Sequence, residues 1–296
     1  MQIDQNPVAG IGWMLLSGLC FVALTAIVKH LGDAVPAPQS AFLRYLLGLV
    51  FLLPMLGTMR REKLDAKTLR AFVFRGMAHT VAVMLWFYSM TRIPLAEVSA
   101  MGYLSPIYVS IGAALFLGET LRFRRIAAIG TAILGALIIL RPGLRELNGG
   151  HLAMLGTSAM FAVSYLLAKQ VANRTSPAMV VGMLSITVTV GLAPFAIAVW
   201  EPVTWQQVAW FFVIACFATV GHYAMTLAFA AAPITVTQPV NAMQLVWSVL
   251  LGALIFGEGV DAFVVIGGAM VVGAVVFIAL REHQVRRGSA NRPVVP

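Results

Sequence analysis

The chain has 296 residues, 60% hydrophobic and only 10% charged, with a mean hydropathy of +0.90. A soluble domain carries roughly 25% charged residues, so a soluble enzyme, a disordered protein and a nucleic-acid binder are excluded; most of this chain is solvated by lipid. The net charge of +9 then belongs to short loops, where Lys and Arg set orientation, and not to a nucleic-acid face.

Apolar runs bounded by Pro, Gly and charged clusters predict ten spanning helices, at 8–31, 39–58, 70–91, 95–118, 123–141, 150–172, 177–200, 205–230, 234–256 and 261–281. Runs this apolar have to be helical, because lipid offers no partner to an open backbone. The segments of about ten alternating residues that a β-barrel needs are missing. The first run follows a segment without Lys or Arg and is too long for a cleaved signal. Its Trp13, like Trp200, Trp205 and Trp210, suits an interfacial aromatic belt. Lys29 closes it and either snorkels to the interface or binds carbonyls as a gate.

Helix 2 carries Arg44. Helix 3 carries His79 near its centre and Trp86 seven residues on, along the same face. An intramembrane histidine usually faces the bundle or a wet cavity; here it bonds a neighbouring helix or meets a solute. Ser99, Tyr103, Pro106 and Ser110 share one face of helix 4. Helix 6 adds Ser164, Tyr165 and Lys169, and helix 8 adds His222. Helix 9 shows Gln238, Asn241, Gln244, Trp247 and Ser248, with Pro239 among them. Such polar stripes either bond neighbouring helices or line a cavity. Small residues at Ala132/Ala136 and Ala269/Gly273 suit close packing of helices 5 and 10 more than a dimer. Cys20 and Cys216 lie in apolar runs as packing residues, with no disulfide or zinc spacing.

With the N-terminus cytoplasmic, fifteen Lys and Arg fall inside and four outside, which puts both termini inside and makes the helix count even. Arg75 is one of the fifteen. A repeat then emerges. Ser17–Lys29 falls on Thr157–Lys169 at an offset of 140, and Pro94–Glu119 on Pro233–Glu258 at an offset of 139. Five helices per half is odd, so the second half enters the membrane from the other side.

The segments ending Leu117-Gly118-Glu119 and Phe256-Gly257-Glu258, each followed by a turn and a glycine-rich helix, resemble the EamA repeat of the drug/metabolite transporter superfamily. The resemblance covers nearly the whole chain. It implies an all-α membrane protein in which ten transmembrane helices, as two inverted five-helix EamA repeats, form a basket around a central cavity. The first repeat spans 8–141 and the second 150–281; 282–296 is a cytoplasmic tail. Aromatic and neutral amino-acid exporters of the YddG type look nearest. The second half departs from the pattern: Met243-Gln244-Leu245 stands where the first has Leu104-Ser105-Pro106, so helices 4 and 9 are expected to bend at different depths.

No Walker A, HExxH or Gly-x-Ser-x-Gly sequence is present, so the expectation is a carrier, not an enzyme, without cofactor or metal. On these spans no acidic residue lies at mid-membrane. Glu119 and Glu258 sit at helix ends, where they complement the dipole of the next helix or serve as a gate pair or proton site. A cation pump wants a membrane carboxylate and a phosphate carrier a central Arg or Lys; the spans place neither. The expected solute is therefore a small neutral or zwitterionic metabolite, an amino acid above all, exported by alternating access across a bacterial inner membrane. His79, Trp86, Ser99, Tyr103, Ser164, Tyr165, His222, Gln238, Asn241, Gln244 and Trp247 would bind it, and Lys29, Lys169, Pro106 and Pro239 would gate. The expected partners are solute and lipid bilayer, with no nucleic acid or obligate protein partner, the protein being a monomer or homodimer. Proton-coupled multidrug export, metabolite uptake, and a non-transporting sensor or assembly factor are the rivals.

Overall fold

The computed structural model describes residues 7–117, 123–144, 146–172, 174–232 and 234–290. Every regular element among these residues is helical. In chain order the helices are α1 (Pro7–Leu31), α2 (Ala37–Gly48), α3 (Leu56–Arg61), α4 (Ala66–Met90), α5 (Leu95–Gly102), α6 (Leu104–Leu117), α7 (Phe123–Leu140), α8 (Gly149–Ala172), α9 (Pro177–Ala198), α10 (Trp205–Ala231), α11 (Ile234–Phe256) and α12 (Ala262–Ala290). Among the described residues, eight helices are long and apolar enough to cross a membrane, and a shorter apolar helix covers Met243–Phe256. The protein is a multi-pass membrane protein.

The breaks have local causes. A 3₁₀ stretch, Leu49–Met55, joins α2 to α3 and contains Pro54. Proline cannot donate to the carbonyl four residues back, so the turns before it tighten. Ala37–Arg61 still reads as one apolar span. Pro106 likewise withdraws the hydrogen bond that the Gly102 carbonyl would receive, and the chain breaks there into α5 and α6. α11 runs without interruption from Ile234 to Phe256. The two corresponding stretches therefore differ in shape.

α4 starts at Ala66, a full turn before the expected 70. Asp65 caps it by accepting from the Thr68 N–H at 2.9 Å. Those bonds to Thr68 hold the Asp65 carboxyl below the usual carboxylate range. α12 runs on to Ala290, past the expected end at 281.

The two halves of the sequence interlock. α1 packs along α10 and α11, α4 along α8 and α9, and α7 along α12. The α7–α12 contact is the close one, with Ala132 and Ala136 buried in it. A Cβ on Gly135 would come within 2.6 Å of the Gly267 carbonyl oxygen. Small residues let helix backbones approach, which in lipid maximises dispersion contact. Gly135→Val is expected to force the pair apart and lower the melting temperature in detergent by several degrees, a cost of about 1–3 kcal/mol. An unchanged melting curve would show the contact to be slack.

Candidate functional site

The connections after α1, α4, α7 and α11 meet at one end of the bundle and are tied there by charge. Lys29, at the close of α1, reaches Glu258 Oε1 at 2.5 Å and donates to the Ile93 carbonyl at 2.9 Å. Glu258 Oε2 accepts from the Leu95 N–H at 3.0 Å. Glu258 was expected to complement the next helix, α12; instead it caps α5 from across the bundle. Lys29 is mostly buried in this pair and does not snorkel. Arg92 bonds Asp33 at 3.1 Å, and Arg141 pairs with Asp261. Glu97 Oε2 lies 2.7 Å from His151 Nε2, both side chains buried. The Asn148 N–H points at His151 Nδ1, which makes that nitrogen the acceptor and leaves Nε2–H to donate to Glu97. These contacts tie the four connections together at this end of the bundle.

Midway along the bundle is a second cluster. His79, at the middle of α4, is 9% exposed. Its Nε2 lies 3.0 Å from the Tyr45 hydroxyl of α2, and its Nδ1 3.1 Å from Ser164 Oγ of α8. Both hydroxyls can donate or accept, so either neutral tautomer is satisfied. The Phe161 ring lies 4.9 Å from His79, and Trp86 and Tyr165 flank Phe161 at 6.3 and 5.9 Å. Tyr165 stacks on Phe161 and is 48% exposed, so this group of rings reaches an accessible face of α8. His222 of α10 meets Phe21 of α1 edge-on at 4.9 Å and is accessible. His79 and Trp86 were expected on one face, and both pack on Phe161.

The other expected residues of the described chain lie along α5, α6 and α11. Ser99 and Ser248 share a hydrogen bond of 2.5 Å, and the Tyr103 hydroxyl donates to the Asn241 carbonyl at 2.6 Å. Both bonds tie α5 and α6 to α11. Gln244 and Trp247 are half-buried on α11. The Trp247 indole N–H is buried without a partner among the described residues. Pro106 is exposed on α6. The side chains of Lys169, Gln238 and Pro239, and Glu119 altogether, lie outside the described residues. Pro106→Ala would return the missing N–H to the Gly102 carbonyl and fuse α5 with α6. We expect a marked loss of transport with the melting temperature kept or raised; unchanged transport would remove the break from the mechanism.

The spans were expected to place no Arg or Lys at mid-membrane, yet two arginines of the spanning helices are buried in the bundle. Arg44 of α2 is 9% exposed, its guanidinium 4.0 Å above the Tyr45 ring. Arg75 of α4 is 7% exposed and donates to the Val180 carbonyl at 2.9 Å. Arg75 had been counted with the cytoplasmic charges, although the expected span 70–91 already contained it; it is buried within α4. Removing it leaves fourteen inside charges against four. Both guanidinium charges act on His79. Their signal was in the sequence, since an ionisable residue within a spanning segment points to function by default.

A model of the EamA-like transporter family matches residues 8–141 and 148–280. The chain belongs to that family. EamA-like proteins are membrane transporters and not enzymes, and known relatives align along their whole length. The riboflavin transporter of Vibrio cholerae is 27% identical over 98% of this chain and 99% of its own. The S-adenosylmethionine uptake transporter of Rickettsia felis is 25% identical over 95% of each chain. The pseudopaline exporter CntI of Pseudomonas aeruginosa is 24% identical over 92% of this chain and 96% of its own. None of these three is named for amino acids, which were the expected cargo. A solved crystal structure matches with a TM-score of 0.58 at 19% identity, over 94% of this chain and 97% of that one, a likeness of fold alone.

Proposed function

We propose that this EamA-like protein carries small aromatic metabolites across a bacterial inner membrane by alternating access. Its ten spans form two inverted five-helix halves with both termini in the cytoplasm. The observation that carries this reading is the His79 cluster, a polar centre walled by Trp86, Phe161 and Tyr165 midway along the bundle. Flat rings stack well on such a wall, and a few placed polar groups fix orientation. With the Lys29 end tied by these contacts, solute enters from the opposite end, the cytoplasmic one on the Lys and Arg count.

Riboflavin, named for the Vibrio relative, is a flat ring system of this kind, and so are the side chains of aromatic amino acids. Arg44 and Arg75, both buried in the bundle, favour a cargo that carries an anionic group over a strictly neutral one. Uptake and export use the same two states, and the larger gradient sets the direction. A second reading, proton coupling, rests on the Tyr45–His79–Ser164 chain of hydrogen bonds, along which a proton can pass.

The test is flux in vesicles holding the purified full chain. The panel is riboflavin, S-adenosylmethionine, tryptophan and phenylalanine, plus an aliphatic amino acid, with and without a proton gradient. Saturable movement of the ring-bearing solutes above leucine supports the reading. Equal rates for all, or none above empty vesicles, would overturn it.

A further inference from the structure

Arg44 and Arg75 are both more than nine-tenths buried, and neither meets a carboxylate among the described residues. Most described acids are engaged elsewhere, and Glu146 and Glu201 are exposed in loops. Asp33, Glu97, Glu258 and Asp261 pair at the Lys29 end, Glu62 bonds Ser176, and Asp65 caps α4. A guanidinium offers five N–H donors. Arg75 gives one to the Val180 carbonyl. Arg44 makes no hydrogen bond to the described residues and rests on the Tyr45 ring. The Nε of each is buried without a partner. Two buried cations whose donors are almost all unused are costly unless something negative joins them.

Arg44 lies on the Tyr45 ring, whose hydroxyl bonds His79, and Arg75 stands one turn before His79 on α4. They therefore flank the His79 cluster and its aromatic rings. We propose that Arg44 and Arg75 form an anion subsite of a solute chamber at this cluster, which takes a carboxylate or phosphate borne by the ring-containing solute. The inference rests on the carrier reading for its biological sense, though not for its test. The planar fork of a guanidinium matches both groups in a bidentate way. The ring lies on Phe161 and Tyr165, and the anionic group turns toward the two arginines.

Binding to the detergent-purified full chain is read as the concentration-dependent rise in melting temperature. Two matched pairs serve as probes: flavin mononucleotide with riboflavin, and 3-phenylpropionate with 3-phenylpropionamide. The anionic member is expected to bind about tenfold or more tightly than its neutral partner, the weight of one or two charge-assisted hydrogen bonds. Preference within the flavin pair alone identifies a phosphate site, and within both pairs a site for either group. Arg44→Gln and Arg75→Gln are each expected to erase the preference and leave the neutral members unchanged. Arg44→Lys, which keeps charge but loses the fork, retains part of it. Equal binding within both pairs by the wild-type chain overturns the subsite, even where a variant fails to fold. So does an equal weakening of charged and neutral members in the variants. Selective anion binding without flux would sink the carrier reading alone, and flux with indiscriminate binding the subsite alone.

Discussion

Glu258→Gln is expected to open the Lys29 end of the bundle and to cost more than any other single change at that end. The carboxylate holds three groups at once: the Lys29 ammonium, the Leu95 N–H and, through Lys29, the Ile93 carbonyl. The pair is mostly enclosed, with side-chain exposures of 17% and 13%. Removing one partner of an enclosed pair strands the other charge, at a cost of about 3–5 kcal/mol. In a carrier that penalty falls only on the state in which this end is shut. A shift of about 3 kcal/mol moves a two-state equilibrium by about two orders of magnitude. The variant therefore rests open at the Lys29 end, and its flux falls. Labelling of a cysteine placed at Val249, beside Glu258 in the cleft at that end, measures the opening in a background without Cys20 and Cys216. Faster labelling in Glu258→Gln than in the wild-type background is the expected result. Equal labelling in wild type and variant would make the pair a static strut.

His79→Phe is expected to abolish transport at the other end of the argument, in the chamber. The substitution keeps a ring against Phe161 but leaves the Tyr45 hydroxyl and Ser164 Oγ without their shared partner. An unsatisfied buried hydroxyl costs about 1–3 kcal/mol, and two of them lower flux by about two to four orders of magnitude where the groups are set for solute. His79→Gln keeps a donor and an acceptor and should retain measurable flux. Its pH profile divides the two readings. Proton-coupled transport through His79 becomes insensitive to an imposed proton gradient in His79→Gln, whereas a facilitated carrier shows the same gradient response before and after. Wild-type flux in His79→Phe would remove the chamber from the mechanism.

Much of the fold could be read from the sequence, because lipid leaves an apolar run few choices. The break at Gly102 follows from Pro106 and the missing N–H. The different course of α11 follows from Met243-Gln244-Leu245 standing where the first half has its proline triplet. The site was less legible. His79 stood out because a histidine is expensive in lipid. Arg75 was counted with the loop charges although the expected span 70–91 contained it, and only the packed bundle shows it buried; the one-turn error at the start of α4 is a separate miss, since Asp65 and Thr68 carried the helix-start signal. Arg44 was placed within a helix but given no partner, and the argument from an empty centre followed from that. The pairing of Lys29 with Glu258 joins residues far apart in sequence and needs the packed bundle to bring them together. Tyr45 and Ser164 are ordinary polar residues until folding sets them on either side of one imidazole.

Trans-stimulation is the most direct measurement of alternating access. Vesicles holding the wild-type chain are loaded with an unlabelled aromatic solute, and entry of the same solute in labelled form is timed against unloaded vesicles. A carrier whose two ends take turns returns faster with cargo than empty, so loading should raise the initial rate and produce a transient overshoot of label. Entry that is unchanged by loading, or slowed by it, would contradict a chamber that opens to one side at a time.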